Sequence, residues 1–277
     1  MMASTLKDLS KLCVHTQTTR PWSIETCVKN YSKAGIQGIT IWRNVLENKN
    51  LTDIKALLDD HGMEVVSLCR GGFFPSADEL TRKITIEDNL WAIVQASAVG
   101  APLIVLVCGA DGRQSLEKSR DQIAEGIMRI LPEAQSAGVK LAIEPLHPMY
   151  AGDRSAVNTL KQANDMAEMI NSDWVGVAVD VYHLWWDSTL KSEIRRCADL
   201  HKLFAFHVCD WNVPTVDFLN DRGLMGDGCI NIQEIRGWVE DAGFKGYNEV
   251  EVFSDKYWAT DQEAYLEKIK HAYLNHT

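Results

Sequence analysis

Four ionisable side chains stand where apolar, strand-like runs end: Glu144 follows Leu-Ala-Ile, Asp180 follows Val-Gly-Val-Ala-Val, His207 follows Leu-Phe-Ala-Phe, and Glu251 lies within Glu-Val-Glu-Val-Phe. An unpaired charge buried in such surroundings costs several kcal/mol or shifts its pKa until it is neutral, so each of them needs a counterpart. Taken singly, a strand-end Asp or Glu is more often a helix cap or an ion-pair partner than a ligand. Together, at equivalent depths in consecutive strands, the three carboxylates repel one another unless a cation joins them, and the imidazole completes a mixed N/O donor set. A divalent metal answers both demands. Manganese is the first expectation, with magnesium, cobalt and ferrous iron beside it and zinc as a further alternative; coordination positions left open for a substrate would make the site catalytic. Glu249 and Glu251 share a strand face by the period of two, so either can ligate; Glu251, nearer the C-terminal mouth, is preferred.

The elements that must hold these residues are visible as eight short runs rich in Val, Ile, Leu and Cys: 12 to 16, 38 to 42, 65 to 69, 103 to 109, 140 to 145, 175 to 181, 203 to 209 and 248 to 253. Helical periodicity follows each, over roughly 22 to 34, 51 to 61, 82 to 99, 115 to 137, 155 to 170, 189 to 199, 232 to 242 and 260 to 275. Gly35, Gly62, Gly100, Gly138 and Gly243 stand where helices should stop. Eight consecutive strand-helix modules, with no composition break or linker, predict an α/β chain folded as a single (β/α)8 TIM barrel over residues 1 to 277. A doubly wound sheet is the alternative, but closure removes its exposed edges. The connections after strands are the long ones, notably 70 to 76, 147 to 155 and 210 to 231, which places the working face at the strand C-termini.

Bulk properties narrow the function classes. The chain has 277 residues, 46% of them hydrophobic, enough for a large core. A formal net charge of -10 repels phosphate backbones and anionic headgroups, so neither nucleic acid nor membrane is an expected partner. The seven cysteines are scattered, without a CxxC pair or zinc spacing, and read as reduced thiols. The first residues lack the apolar stretch of a signal peptide, and nowhere do about 18 apolar residues run together, so a soluble, cytoplasmic protein is expected.

The segments AIEPLHP (142 to 148), VAVDVYHLWWD (177 to 187), FHVCDW (206 to 211), GDGCIN (226 to 231) and EVEVF (249 to 253) resemble those of the xylose isomerase-like barrels, which include sugar epimerases, hydroxypyruvate isomerases and inosose dehydratases. The resemblance covers nearly the whole chain. It implies Glu144, Asp180, His207 and Glu251 as metal ligands, with Glu144 and Glu251 also moving protons as an acid/base pair. It further implies that His183 contacts a substrate hydroxyl or carbonyl and that Arg222 orients a substrate oxygen; a capped loop His and a surface ion pair are their bland alternatives. His147 is less familiar and would line the pocket beside Glu144. Trp42 offers an apolar face to sugar C–H bonds, and His15, Arg43 and Arg70 would complete the opposite wall, although packing is the commoner role for each. Trp185, Trp186 and Trp211 read as core or lid packing, and a homo-oligomer follows from the behaviour of relatives.

These residues suit a metal-dependent isomerase or epimerase acting on a ketose or a polyol-derived ketone. A chelated hydroxyketone would lose a C–H proton to Glu144 or Glu251, and the enediolate would be reprotonated on the other face or at the adjacent carbon. The same intermediate could expel a β-leaving group, a lyase reaction on a 3-keto sugar, 3-keto glycoside or inosose. A non-catalytic sugar-binding protein is the further alternative. No Gly-rich phosphate cradle is present, so free sugars or sugar acids are the expected ligands. Metal-dependent DNA cleavage, as in the distantly related endonuclease IV, would need more ligands and a basic surface.

Overall fold

A computed structural model describes residues 6–277. Eight parallel strands, β1 (Leu12–His15), β2 (Gly38–Trp42), β3 (Glu64–Gly72), β4 (Leu103–Val107), β5 (Lys140–Glu144), β6 (Val175–Asp180), β7 (Leu203–Val208) and β8 (Asn248–Val250), pair in chain order and close with β8 against β1. The layer outside is built from α1 (Ile24–Lys33), α2 (Leu51–Asp60), α3 (Glu79–Val99), α4 (Leu116–Ser136), α5 (Leu160–Ile170), α6 (Leu190–Asp199), α7 (Ile232–Asp241) and α8 (Gln262–His276). This is the (β/α)8 barrel that the alternation predicts.

Local chemistry sets the helix boundaries. Ser23, Asn50, Asp78, Ser115, Thr159, Asn231 and Asp261 each accept a backbone N–H from the first turn of the helix they precede, meeting a donor that has no partner within the helix. Two caps explain departures from the expected bounds. Asp78, bonded to the Thr81 amide at 2.7 Å, starts α3 at Glu79. Thr159 delays α5 to Leu160, and the preceding turn is held by Asn158, which donates to the Leu146 and Ser155 carbonyls at 3.0 Å each. The five glycines expected to end helices all have positive φ, and Gly100 at 81° closes α3 with its amide on the Ser97 carbonyl.

Inside the barrel, Ala142, Ala178 and Ala205 form a small-residue layer with Cys69, Leu103 and Val105. By the strand period of two, the inward side chains one step toward the mouth are Glu144, Asp180 and His207. Register completes the alignment: Asp180 pairs with His207, and His207 with Glu249. The much larger core lies between strands and helices, where Ile39, Ile41, Leu106, Ile143, Val177 and Phe206 are buried against the outer layer.

Three strand features differ from expectation. Strand β8 ends at Val250, so Glu251 lies one residue past it, although its amide still donates to the Val208 carbonyl at 3.2 Å. Strand β3 runs on to Gly72, with a register shift against β4 between Cys69 and Gly71. The long segment after β7 folds back as a two-stranded antiparallel ribbon, Asp210–Trp211 with Arg222–Gly223. Among the described residues, no helix is long and apolar enough to cross a membrane.

At Gly72, φ is +108° and an added Cβ would lie 2.0 Å from the Val107 carbonyl oxygen; at Gly138, φ is +71° and nothing lies within 4 Å. Gly138→Ala therefore carries only the left-handed backbone penalty, about 1 kcal/mol. Gly72→Ala adds a backbone collision and should cost roughly 2–4 kcal/mol. Urea unfolding of the two variants checks the ordering; equal midpoints would contradict it.

Candidate metal and substrate site

Candidate donor atoms of Glu144, Asp180, His207 and Glu251 all lie within 4.8 Å of one another, and all four residues are buried. The four residues singled out in the sequence are brought together: β5, β6 and β7 and the residue just past β8 carry their polar ends to one point. His207 Nδ1 and Glu144 Oε1 are 2.9 Å apart but not aligned as a hydrogen bond, so both atoms, and His207 Nε2, remain without a hydrogen-bond partner. Burial pushes Asp180 up to about 7; Arg222 opposes this, while Glu251 and Glu144 reinforce it. At His207 burial works against the charged ring, yet Glu249 and Glu144 prevail and raise it to about 10. Protons thus serve as counter-charge where the carboxylates crowd. A divalent ion would serve the same purpose and occupy the unpartnered donors, so these residues fit a metal by their own chemistry.

Glu249 faces a different set of groups. Its Oε2 accepts from Thr40 Oγ1 at 2.6 Å and Ser67 Oγ at 3.0 Å, and it lies 3.4 Å from His15 Nε2 and 3.7 Å from His207 Nε2. It backs His207 from the barrel interior, as a carboxylate behind a ligating imidazole does. Glu251, not Glu249, belongs to the four-residue group. His15 Nδ1 lies 3.1 Å from Glu251 Oε1, and Arg222 Nη1 donates to Glu251 Oε2 at 2.8 Å. Burial alone would raise the Glu251 carboxyl; the His15 hydrogen bond and the charges of His15, Arg222 and His207 hold it well below the usual range.

Arg222 is buried on the ribbon, its guanidinium between the rings of Tyr182 (4.3 Å) and Phe253 (4.8 Å). It also reaches Asp180 Oδ2 at 3.4 Å, and its Nη2 lies 3.3 Å from His183 Nε2. Burial, then the Arg222 charge, holds His183 well below its ordinary pKa. The ring is therefore neutral, with Nε2 accepting from Arg222 and the proton on Nδ1, which is buried and has no partner.

His183, Arg222, Glu144, Glu251 and Trp42 line one inner chamber of about 140 Å³. Trp42 Nε1 lies 3.2 Å from His15 Nδ1, the nitrogen that faces Glu251, and the indole is edge-on to Phe253. An outer vestibule of about 940 Å³ shares Trp42, Arg70, Leu219 and Phe253 with the chamber. His147 is elsewhere: its ring packs on Trp186 and Trp211, and Nδ1 accepts the Met149 amide at 3.2 Å. His15 is beneath the site rather than in a wall, and Arg43 is paired with Asp88 at the vestibule. Trp211 stacks on Tyr182 and touches Trp185, as the packing expectation has it.

Asp210 is the residue that sequence reasoning passed over. Its buried carboxylate accepts four backbone amides, those of Trp211 (2.8 Å), Gly226 (3.0 Å), Gly228 (2.9 Å) and Ile230 (2.9 Å). The far end of the loop is thereby tied to β7, and the ribbon is held in place to carry Arg222. The glycines of Gly-Asp-Gly were the available signal, since a Cβ on Gly228 would lie 2.1 Å from the Trp211 carbonyl oxygen. Asp210→Asn keeps the shape but turns an NH2 toward two of those amides. It should lower stability by about 1–3 kcal/mol and loosen the Arg222 loop, read as faster amide exchange at Gly226 to Ile230; unchanged exchange would remove this role.

A family profile described as "Xylose isomerase-like TIM barrel" matches residues 28–273. The chain is 26% identical over 270 residues to a protein named inosose isomerase from Halalkalibacterium halodurans, covering 94% of each. Protein SMc04130 of Sinorhizobium meliloti shares 41% identity and superposes with a TM-score of 0.94 over 97% of this chain and 99% of that one. The IOLI protein, in a crystal structure with a binding zinc atom, shares the fold at 22% identity and a TM-score of 0.83, over 95% of this chain and 96% of its own. The profile match spans seven of the eight strands and all four residues of the donor group, and on that ground this chain belongs to the xylose isomerase-like TIM barrel family.

Proposed function

We propose that the protein is a divalent-metal-dependent isomerase or epimerase of a sugar or polyol-derived ketone. The observation that carries this reading is the pair Glu144 and Glu251, two buried carboxylates lining one inner chamber and sharing one cluster of candidate metal donors. The names inosose isomerase among its curated relatives support the reaction class.

Glu144, Asp180, His207 and Glu251 would hold the ion, manganese being the first candidate for an oxygen-rich set. When bound, it would polarise a substrate carbonyl and stabilise the charge developing on its oxygen. The protein's own residues supply the rest. Glu251, kept ionised by His15 and Arg222, is the base for the C–H proton beside the carbonyl. Glu144 is placed to return a proton, with the direction of each transfer set by the substrate's configuration. His183 presents its Nδ1–H to a substrate oxygen, and Arg222 keeps that tautomer. Val107, Leu146, Tyr150 and Phe253 line the chamber and displace water, which strengthens every polar contact within it.

Chelator-stripped protein, reloaded with manganese, should catalyse deuterium incorporation from D2O beside the carbonyl of a ketose or inosose, followed by proton NMR. Glu144→Gln and Glu251→Gln should each slow it by about 100-fold or more with the fold intact by circular dichroism. Exchange that persists without metal, or at full rate in either variant, would overturn the assignment; loss of a β-substituent would identify a lyase instead.

A further inference from the structure

Two other guanidinium groups line the inner chamber, those of Arg70, within the last turns of β3, and Arg154, in the loop after β5. Both are half-buried, and among the described residues neither forms an ion pair with a carboxylate. Each lies instead over an aromatic ring, Arg70 over Phe73 at 4.2 Å and Arg154 over Tyr150 at 5.5 Å. The contrast with their neighbours is sharp: Arg43 is met by Asp88 at 2.8 Å, and Arg222 by Glu251 at 2.8 Å. Burial, then the charge of Arg154, makes the protonated form of Arg70 harder to keep, so the pair repels with no anion between them.

The charge balance of the chamber sharpens the point. With a divalent ion present, the carboxylates of Glu144, Asp180 and Glu251 are matched by that ion and Arg222. Behind them Glu249 is matched by His15 and the hydroxyls of Thr40 and Ser67. Arg70 and Arg154 remain as uncompensated positive charge in a chain whose net charge is -10. Two partly desolvated guanidinium groups facing one small space are a fork-shaped site for a carboxylate.

We propose that Arg70 and Arg154 bind a terminal carboxylate of the substrate, which makes the substrate a keto sugar acid rather than a neutral ketose or inosose. This rests on the metal-dependent reading above and deepens it. A carboxylate is favoured over a phosphate because no helix N-terminus accompanies the pair, the amide of Gly72 beside Arg70 is already bonded to Asn89 Oδ1, and the chamber holds about 140 Å³. Each side chain lies against an aromatic ring, which limits the conformations open to it and lowers the cost of ordering it around an anion.

D-fructuronate and D-fructose, which differ only by a carboxylate in place of the terminal hydroxymethyl group, test this by calorimetric titration of the manganese-loaded protein, with D-fructose 6-phosphate as a third ligand. The carboxylate should bind at least 10-fold more tightly than the neutral ketose. Arg70→Gln and Arg154→Gln should each remove most of that advantage, weakening D-fructose far less than the acid and leaving manganese affinity unchanged. Equal binding of acid and ketose, no binding of the acid to metal-loaded protein, or an advantage that survives both substitutions overturns the proposal, and a preference for the phosphate replaces carboxylate by phosphate. Deuterium exchange measured on the same samples separates the two claims. Exchange on D-fructose without a carboxylate advantage sinks only the anion site, whereas Arg-dependent binding of the acid with no metal-dependent exchange sinks only the isomerase reading.

Discussion

The mutual repulsion of three buried carboxylates at the barrel mouth is the constraint around which the rest of the site is arranged. Glu144, Asp180 and Glu251 lie with His207 inside a sphere of a few ångströms, where charges interact far more strongly than in water. Each neighbouring feature answers that repulsion. Arg222 places a permanent positive charge against two of the three, sandwiched between aromatic rings that keep water from screening it. His15 faces the other oxygen of Glu251, and the raised pKa values of His207 and Asp180 are the response of the remaining groups to the crowding. A divalent cation is the species that can meet all of these demands at once.

The barrel makes this concentration of charge affordable by geometry. Alanines at 142, 178 and 205 pack with Cys69, Leu103 and Val105 into an apolar layer one step below the acids, which faces them away from the barrel floor. The pairing of Asp180 with His207, and of His207 with Glu249, fixes their relative heights to the strand register, which a one-residue slip would invert. Arg222 is not on a barrel strand, and its placement needs a separate device. The ribbon, the Asp210 clamp and the bridge between Asp221 and Ser254 perform that task.

What was legible in the sequence follows the same division. Charges inside apolar runs are conspicuous, so Glu144, Asp180, His207 and Glu251 stand out from residue type and position alone, and glycines after amphipathic stretches mark the modules. Residues in polar loops carry no such contrast. Asp210 works through amides up to 20 positions away, and Arg154 is one of several polar residues between β5 and α5, so neither declares itself. His147 shows the reverse error of proximity: it is three residues from Glu144, but Leu146 bonds the Val157 carbonyl and the chain turns away, leaving the imidazole on Trp186 and Trp211. Periodicity leaves both Glu249 and Glu251 facing inward; the hydroxyls of Thr40 and Ser67, on other strands, are what hold Glu249 apart from the four-residue group.

The two halves of the barrel end with different work. Strands β5 to β7 and the end of β8 supply the acids and the imidazole, while β2 and β3 supply Trp42 and Arg70 to a neck between the chamber and the vestibule. Leu219 lines that neck from the loop after β7, and the loop is pinned where the hydroxyls of Tyr150 and Tyr182 both donate to the Phe218 carbonyl, at 2.7 and 2.8 Å. Tyr182 is also a face of the Arg222 sandwich. The group that balances the carboxylates and the segment that narrows their access are therefore held by one side chain, which couples the electrostatics of the site to its isolation from water.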